Sequence, residues 1–262
     1  MRAFAPGSVT TVFAPPTGES DRSAGASVAI EDGVVVDVEP AGSSDGGVTV
    51  DGEAAAFEPI EYLLSDLGVT ARVDVRPAVP LGCGFGASGA ATLATALAAN
   101  ERFDLGQDRE TLLQRAHRAE VAAQTGLGDV FIQERGGIVT SAGPELTRSV
   151  TDERVGYASF GGIATSEVLG DEETMDRVRQ TGEAVLARVP ADPTLDQLLP
   201  LAWEFALETG LLTDRVEREV TRVRDAGGAA TMAMVGETVV GVGAGDVLPE
   251  TTRVATEGAR LL

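Results

Sequence analysis

Lysine is missing from this chain altogether. Its 20 basic residues are all arginine, set against 41 acidic residues and a net charge of −21. A surface of that sign repels polyanions, which excludes nucleic acid and anionic membranes as partners. It also suits high salt, where carboxylates hold water and screening suppresses their repulsion, so a halophilic protein is expected. The absence of lysine removes the Walker phosphate loop as well, because that loop needs Gly-Lys followed by Ser or Thr. Cysteine occurs once, at Cys83, so no internal disulfide can form and a reducing, cytoplasmic setting is expected. Histidine also occurs once, at His117. No apolar run reaches membrane-spanning length. Residues 1–20 lack the basic start and unbroken apolar core of a signal peptide.

What is present is a chain of 262 residues with 43% hydrophobic content, enough for one large domain or two small ones. Its most informative stretch is Pro80-Leu81-Gly82-Cys83-Gly84-Phe85-Gly86-Ala87-Ser88-Gly89-Ala90. A strand-like run, 71–75, precedes it and an alanine-rich apolar run follows. Glycine admits positive φ and close approach of a ligand. A helix start adds free N–H groups and partial positive charge, which together suit phosphate. Ser88, in the first turn, is placed to bind a phosphate or its magnesium. The Rossmann spacing is missing, since Gly82, Gly84 and Gly86 give Gly-x-Gly-x-Gly. A plain strand-to-helix turn is the alternative.

Strands are expected over 2–15, 27–30, 34–39, 48–50, 71–75, 136–140, 156–160, 230–235, 238–243 and 253–255. Glu31-Asp32-Gly33 and Gly236-Glu237 are expected as hairpin turns, and Asp51-Gly52 as a turn. Helical spacing covers 59–67, 87–102, 108–124, 172–189, 194–208 and 213–226, the last stopping at Gly227-Gly228. Ser20 to Gly25 is expected as a polar loop. A polar segment at 141–153 divides the chain into two expected domains, 1–150 and 151–262. Trp203 and Phe205 lie on an apolar helix and are expected in the core.

A second segment pairs Glu120, near the end of a helix, with Asp129, which follows the turn Thr125-Gly126-Leu127-Gly128. A solvated helix face for Glu120 and a helix cap for Asp129 are the alternatives. A third segment, 227–236, reads as a glycine turn and a strand.

These segments resemble the galactokinase, homoserine kinase, mevalonate kinase and phosphomevalonate kinase superfamily, the GHMP kinases. Pro80 to Ala90 follow its phosphate loop, roughly Pro-x-Gly-x-Gly-Leu-Gly-Ser-Ser-Ala. The rest of the chain is most similar to the archaeal pantoate kinases. The matching stretches include 84–90, 96–100, 119–121, 125–130, 206–215 and 232–234. The resemblance implies an α+β, two-domain GHMP kinase fold, with a ribosomal-protein-S5-like N-terminal domain and a ferredoxin-like C-terminal domain. It implies ATP and magnesium, with Pro80, Gly82, Gly84, Gly86, Ala87, Ser88 and Gly89 on the nucleotide. Ser88 and Glu120 become magnesium ligands, and Asp129 the base or orienting carboxylate at the acceptor hydroxyl. Ser8, Thr10 and Gly228 fall in motifs near the acceptor substrate.

The implied activity is ATP-dependent phosphorylation of a small hydroxy acid, pantoate, for coenzyme A synthesis. Ser8 stands where those kinases carry a histidine, and Thr11-Val12-Phe13 where they read Gly-Phe-Phe. A sister kinase with another acceptor therefore stays open, as does a non-catalytic relative that binds nucleotide or metabolite. Mevalonate kinases place a lysine beside the aspartate. Without one, an arginine or the metal is expected to assist, and an arginine to bind an acceptor carboxylate. A homodimer is one assembly state compatible with this reading.

Overall fold

The computed structural model describes residues 1–15, 23–42, 45–141, 146–162 and 172–262. The expected loop at 20–25 lies partly outside these residues, as does part of the 141–153 segment. In chain order the elements are β1 (Arg2–Ala14), β2 (Ala24–Pro40), β3 (Gly47–Val50), β4 (Glu53–Ala55), α1 (Glu58–Leu67), β5 (Ala71–Pro77), α2 (Ala87–Arg102), α3 (Arg109–Ala122), α4 (Asp129–Arg135), β6 (Ile138–Thr140), β7 (Thr147–Ser149) and β8 (Arg154–Gly162). Then come α5 (Glu172–Leu186), α6 (Leu195–Thr209), α7 (Asp214–Asp225), β9 (Ala229–Ala233), β10 (Gly236–Val242), β11 (Glu250–Arg253) and β12 (Arg260–Leu261). The class is α+β, as expected.

Two sheets result. The first runs β12-β1-β2-β5-β3-β4, with β6 and β7 continuing from β2. The second runs β11-β8-β10-β9 and is antiparallel throughout. β12 returns the end of the chain to the first sheet, beside β1. One hydrophobic core extends through both sheets.

β2 corrects the hairpin expected at Glu31-Asp32-Gly33. The chain does not reverse there. β1 stays paired on both sides, with Pro6 opposite Gly33 and Gly7 opposite Ile30, so Glu31 and Asp32 are accommodated as a bulge. The front of β2 pairs with β6 and the rear with β5. Space forces glycine at this kink, because a Cβ on Gly7 would sit 2.6 Å from Asp32 O and 3.3 Å from Phe85 O.

The sequence of α2 explains its place. Nearly every residue from Ala87 to Ala99 is buried, and alanine lets β1, β2, α1, α3 and α4 pack close on all sides. α1 is amphipathic, buries Ile60, Leu63 and Leu64, and stops at Gly68 in the left-handed conformation. Asp108 caps α3 by accepting from Thr111 N–H at 2.8 Å. Trp203 and Phe205 are core residues of α6. His117 is buried too, its ring 5.0 Å from that of Phe131. The hairpin expected at Gly236-Glu237 turns two residues earlier, at Met234-Val235, and Gly236 already belongs to β10.

Candidate active site

The loop after β5 and the start of α2 form one wall of a cleft of about 160 Å³. Gly86 is the cap of α2 and holds a left-handed conformation, φ +59°. The first backbone bond of the helix runs from Ala90 N–H to Gly86 O at 3.0 Å. The N–H groups of Ala87, Ser88 and Gly89 therefore have no helical partner, which is the arrangement that suits an anion. Gly82 and Gly84 also hold positive φ.

The second sheet supports this loop from behind. Thr238 Oγ1 donates to Cys83 O at 2.7 Å and accepts from Ser159 Oγ at 2.9 Å. A Cβ on Gly236 would collide with Cys83 O, which explains why this glycine lies against the loop rather than in the turn. Gly162 meets Gly82 O in the same way. The turn beside Gly236 faces the cleft through Met234 and Val235, and Val235 holds φ +60°, uncommon for a β-branched residue.

Glu120 lies in the last turn of α3, buried, and three hydroxyls converge on it. Ser88 Oγ donates to Oε1 at 2.9 Å, Thr92 Oγ1 to Oε1 at 2.7 Å, and Thr125 Oγ1 to Oε2 at 2.8 Å. Burial pushes its carboxyl up to about 7, against the pull of the three donors, and the charge of Asp129 adds to the rise. The solvated-face alternative for Glu120 is therefore set aside.

Asp129 opens α4, with Gly128 rather than Asp129 as the cap residue. Its Oδ1 accepts from Ser8 Oγ at 3.0 Å and from Thr10 Oγ1 at 3.4 Å. Burial raises its carboxyl above the ordinary value while these hydroxyls oppose the rise. Gly126 lies between the two acids: a Cβ there would be 3.2 Å from Glu120 Oε2 and 3.5 Å from Asp129 Oδ2.

Of the residues singled out in the sequence, Thr10, Gly82, Gly84, Gly86, Ala87, Ser88 and Asp129 line this single cleft. Glu120 stands just behind Ser88. Pro80 is exposed and Gly89 is buried, and neither lines the cleft. Ser8 is fully buried behind Asp129 and is not among the residues that line the cleft. Gly228 sits at the far end of β9 from Met234, about 20 Å along a strand at about 3.3 Å per residue. There it packs on Ala244, whose N lies 3.0 Å from its Cβ position. Among the described residues no arginine lines the cleft, and the partners of Asp129 are hydroxyls. Sequence alone assigns no role to Thr92, Thr125, Gln133 or Val235. The Thr-Gly-Leu-Gly turn was the one available signal, and it pointed to Asp129 only.

Residues 54–137 match the GHMP kinases N terminal domain. A pantoate kinase of Methanospirillum hungatei is 30% identical over 260 residues, covering 93% of this chain and 87% of the relative. The chain belongs to the GHMP kinase family.

A second pantoate kinase, from Methanocaldococcus jannaschii, is 29% identical and covers 81% of this GHMP kinase and 82% of its own length. Among solved structures, a phosphotransferase related to the CoA biosynthesis pathway has a TM-score of 0.85 at 25% identity, covering 100% of this chain and 98% of its own. A Lactococcus lactis galactokinase complexed with galactose has a TM-score of 0.71 at 12% identity, with 100% and 95% covered, and shares the fold. The two sheets described above are thus the two-domain α+β architecture of GHMP kinases, and the chain is a small-molecule kinase.

Proposed function

We propose that this kinase transfers the γ-phosphoryl group of ATP to a hydroxyl of pantoate, supplying 4-phosphopantoate for coenzyme A synthesis. The observation that carries the reading is that the glycine-rich loop, Ser88 and Asp129 line one cleft, with Glu120 hydrogen-bonded to Ser88 just behind it. Relatives named pantoate kinase, aligned over most of the chain, support the acceptor.

The residues fit magnesium. Ser88 and Glu120 offer hard oxygens 2.9 Å apart, and a buried carboxylate with a raised pKa gains from a cation. Bound there, magnesium would neutralise charge on the transferring phosphoryl group. The loop N–H groups hold the phosphates. Asp129 takes the proton of the attacking hydroxyl as its oxygen bonds to the γ-phosphorus and the bond to ADP breaks. Thr10 and Ser8 aim the carboxylate. The cleft's other wall carries apolar Phe13, Leu127, Ile132 and Leu146 beside hydroxyls of Ser27 and Ser141. That mixture suits a small branched acid bearing a dimethyl carbon and hydroxyls. Because Ser8 lies behind Asp129, its difference from the family histidine alters the support of the base and not the lining of the acceptor pocket.

The test is ADP release from Mg-ATP in molar potassium chloride, with pantoate compared against other hydroxy acids and polyols. Pantoate should give the highest kcat/KM, and Asp129→Asn should lower turnover by about 10²–10⁴-fold with nucleotide binding retained. A better acceptor in the panel would overturn the pantoate assignment. A loss below about tenfold in Asp129→Asn would return Asp129 to a structural role.

A further inference from the structure

We infer that Gln133 is a positioning residue: through Ser8 it locks Asp129 to the phosphate loop, so that base and loop keep one register. The inference rests on the reading of Asp129 as the base. Gln133 lies one helical turn beyond Asp129 on α4, so both side chains share a face. It is fully buried. Its Nε2 donates to Gly86 O at 2.7 Å and to Ser8 Oγ at 3.1 Å. Ser8 Oγ in turn donates to Asp129 Oδ1 at 3.0 Å, and Ser8 N–H donates to Phe85 O at 2.8 Å.

The direction of this relay follows from the atoms. Gly86 O only accepts, so the amide nitrogen of Gln133 must face it. The second N–H then meets a lone pair of Ser8, and the single hydroxyl hydrogen of Ser8 is left for Asp129. Among the described residues, Gln133 Oε1 is buried without a hydrogen-bond partner. An unpaired buried acceptor is costly, so the amide is oriented for the loop and Ser8 at the expense of its own satisfaction. In a chain without lysine, this neutral relay, together with Thr10, fixes the carboxylate.

The experiment measures kcat, the dissociation constant of Mg-ATP and melting temperature for Gln133→Met, Ser8→Ala and Asp129→Asn, and for the first two combined with Asp129→Asn. Gln133→Met removes both donors, and Ser8→Ala removes the link to Asp129. Each should lower kcat by about tenfold to hundredfold, as misplacement of a catalytic group does. The nucleotide dissociation constant should change by less than about threefold. In the Asp129→Asn background neither change should lower kcat further, because what they position is gone. Should Gln133→Met fail to fold, Ser8→Ala carries the same comparison with the loss of one oxygen. Wild-type kcat in a folded Gln133→Met, or a loss that persists at full size beside Asp129→Asn, overturns the inference and leaves the reading of Asp129 standing. Full turnover in Asp129→Asn itself overturns both.

Discussion

Glu120 is a buried acid that three hydroxyls serve and, among the described residues, no arginine pairs with. The consequence can be read in the pH dependence of stability. Its ordinary value is 4.5 and its folded value about 7. Below the lower value both states are protonated, and above the higher both are ionised. Between them the folded chain holds the extra proton, so this group's contribution to stability falls as pH rises from 4.5 toward 7. Asp129, shifted upward for the same reason, adds to the trend. Metal-free wild type should therefore lose melting temperature across that window relative to Glu120→Gln, which has no proton to release. Parallel thermal melts of the two proteins check this, and a constant difference between the curves would count against the buried, cation-free description.

At the scale of elements, the phosphate loop is built from glycines that do different jobs. Gly82 holds φ +73° with nothing within 4 Å of its Cβ position. Gly86 holds φ +59°, and a Cβ there would collide with Ser8 Oγ and lie 2.7 Å from Gln133 Nε2. Gly82→Ala should cost only the left-handed penalty, about 1–2 kcal/mol. Gly86→Ala should cost more and also cut turnover, since it forces apart the contacts behind Asp129. Melting temperatures of the two variants, read beside kcat, separate strain from site damage. The loop itself was legible because strand, glycines and helix start lie together in the sequence, and α2 matches its expected span of 87–102. Its supports were not. Ser8 and Asp129 are 121 residues apart, and Thr238 and Cys83 are 155 apart. Periodicity tells which face of an element is apolar, not which distant element will meet it. The turn signals at Glu31-Asp32-Gly33 and Gly236-Glu237 misled for a related reason. Glycine there serves close approach to another segment, and sequence cannot distinguish that need from a reversal of the chain.

For the whole molecule, charge is the dominant property. A net charge of −21 on one shared core should make the folded state self-repelling at low ionic strength. The Debye length shrinks from about 30 Å at 0.01 M to about 3 Å at 1 M. Melting temperature is therefore expected to climb through a potassium chloride series spanning that range, and a flat or falling trend would contradict a halophilic adaptation. The two sheets also meet at the loop. Met234 N–H donates to Thr10 O at 2.9 Å, and Thr238 holds Cys83 O, so the loop side of the cleft depends on both halves of the chain. That contact places the chain's single thiol, half-buried, inside the phosphate loop. In practical terms the protein carries its own labelling handle. Maleimide chemistry can attach a fluorophore at one position only, with no lysine side chains to compete, and the dye reports on the segment where phosphate is expected to arrive.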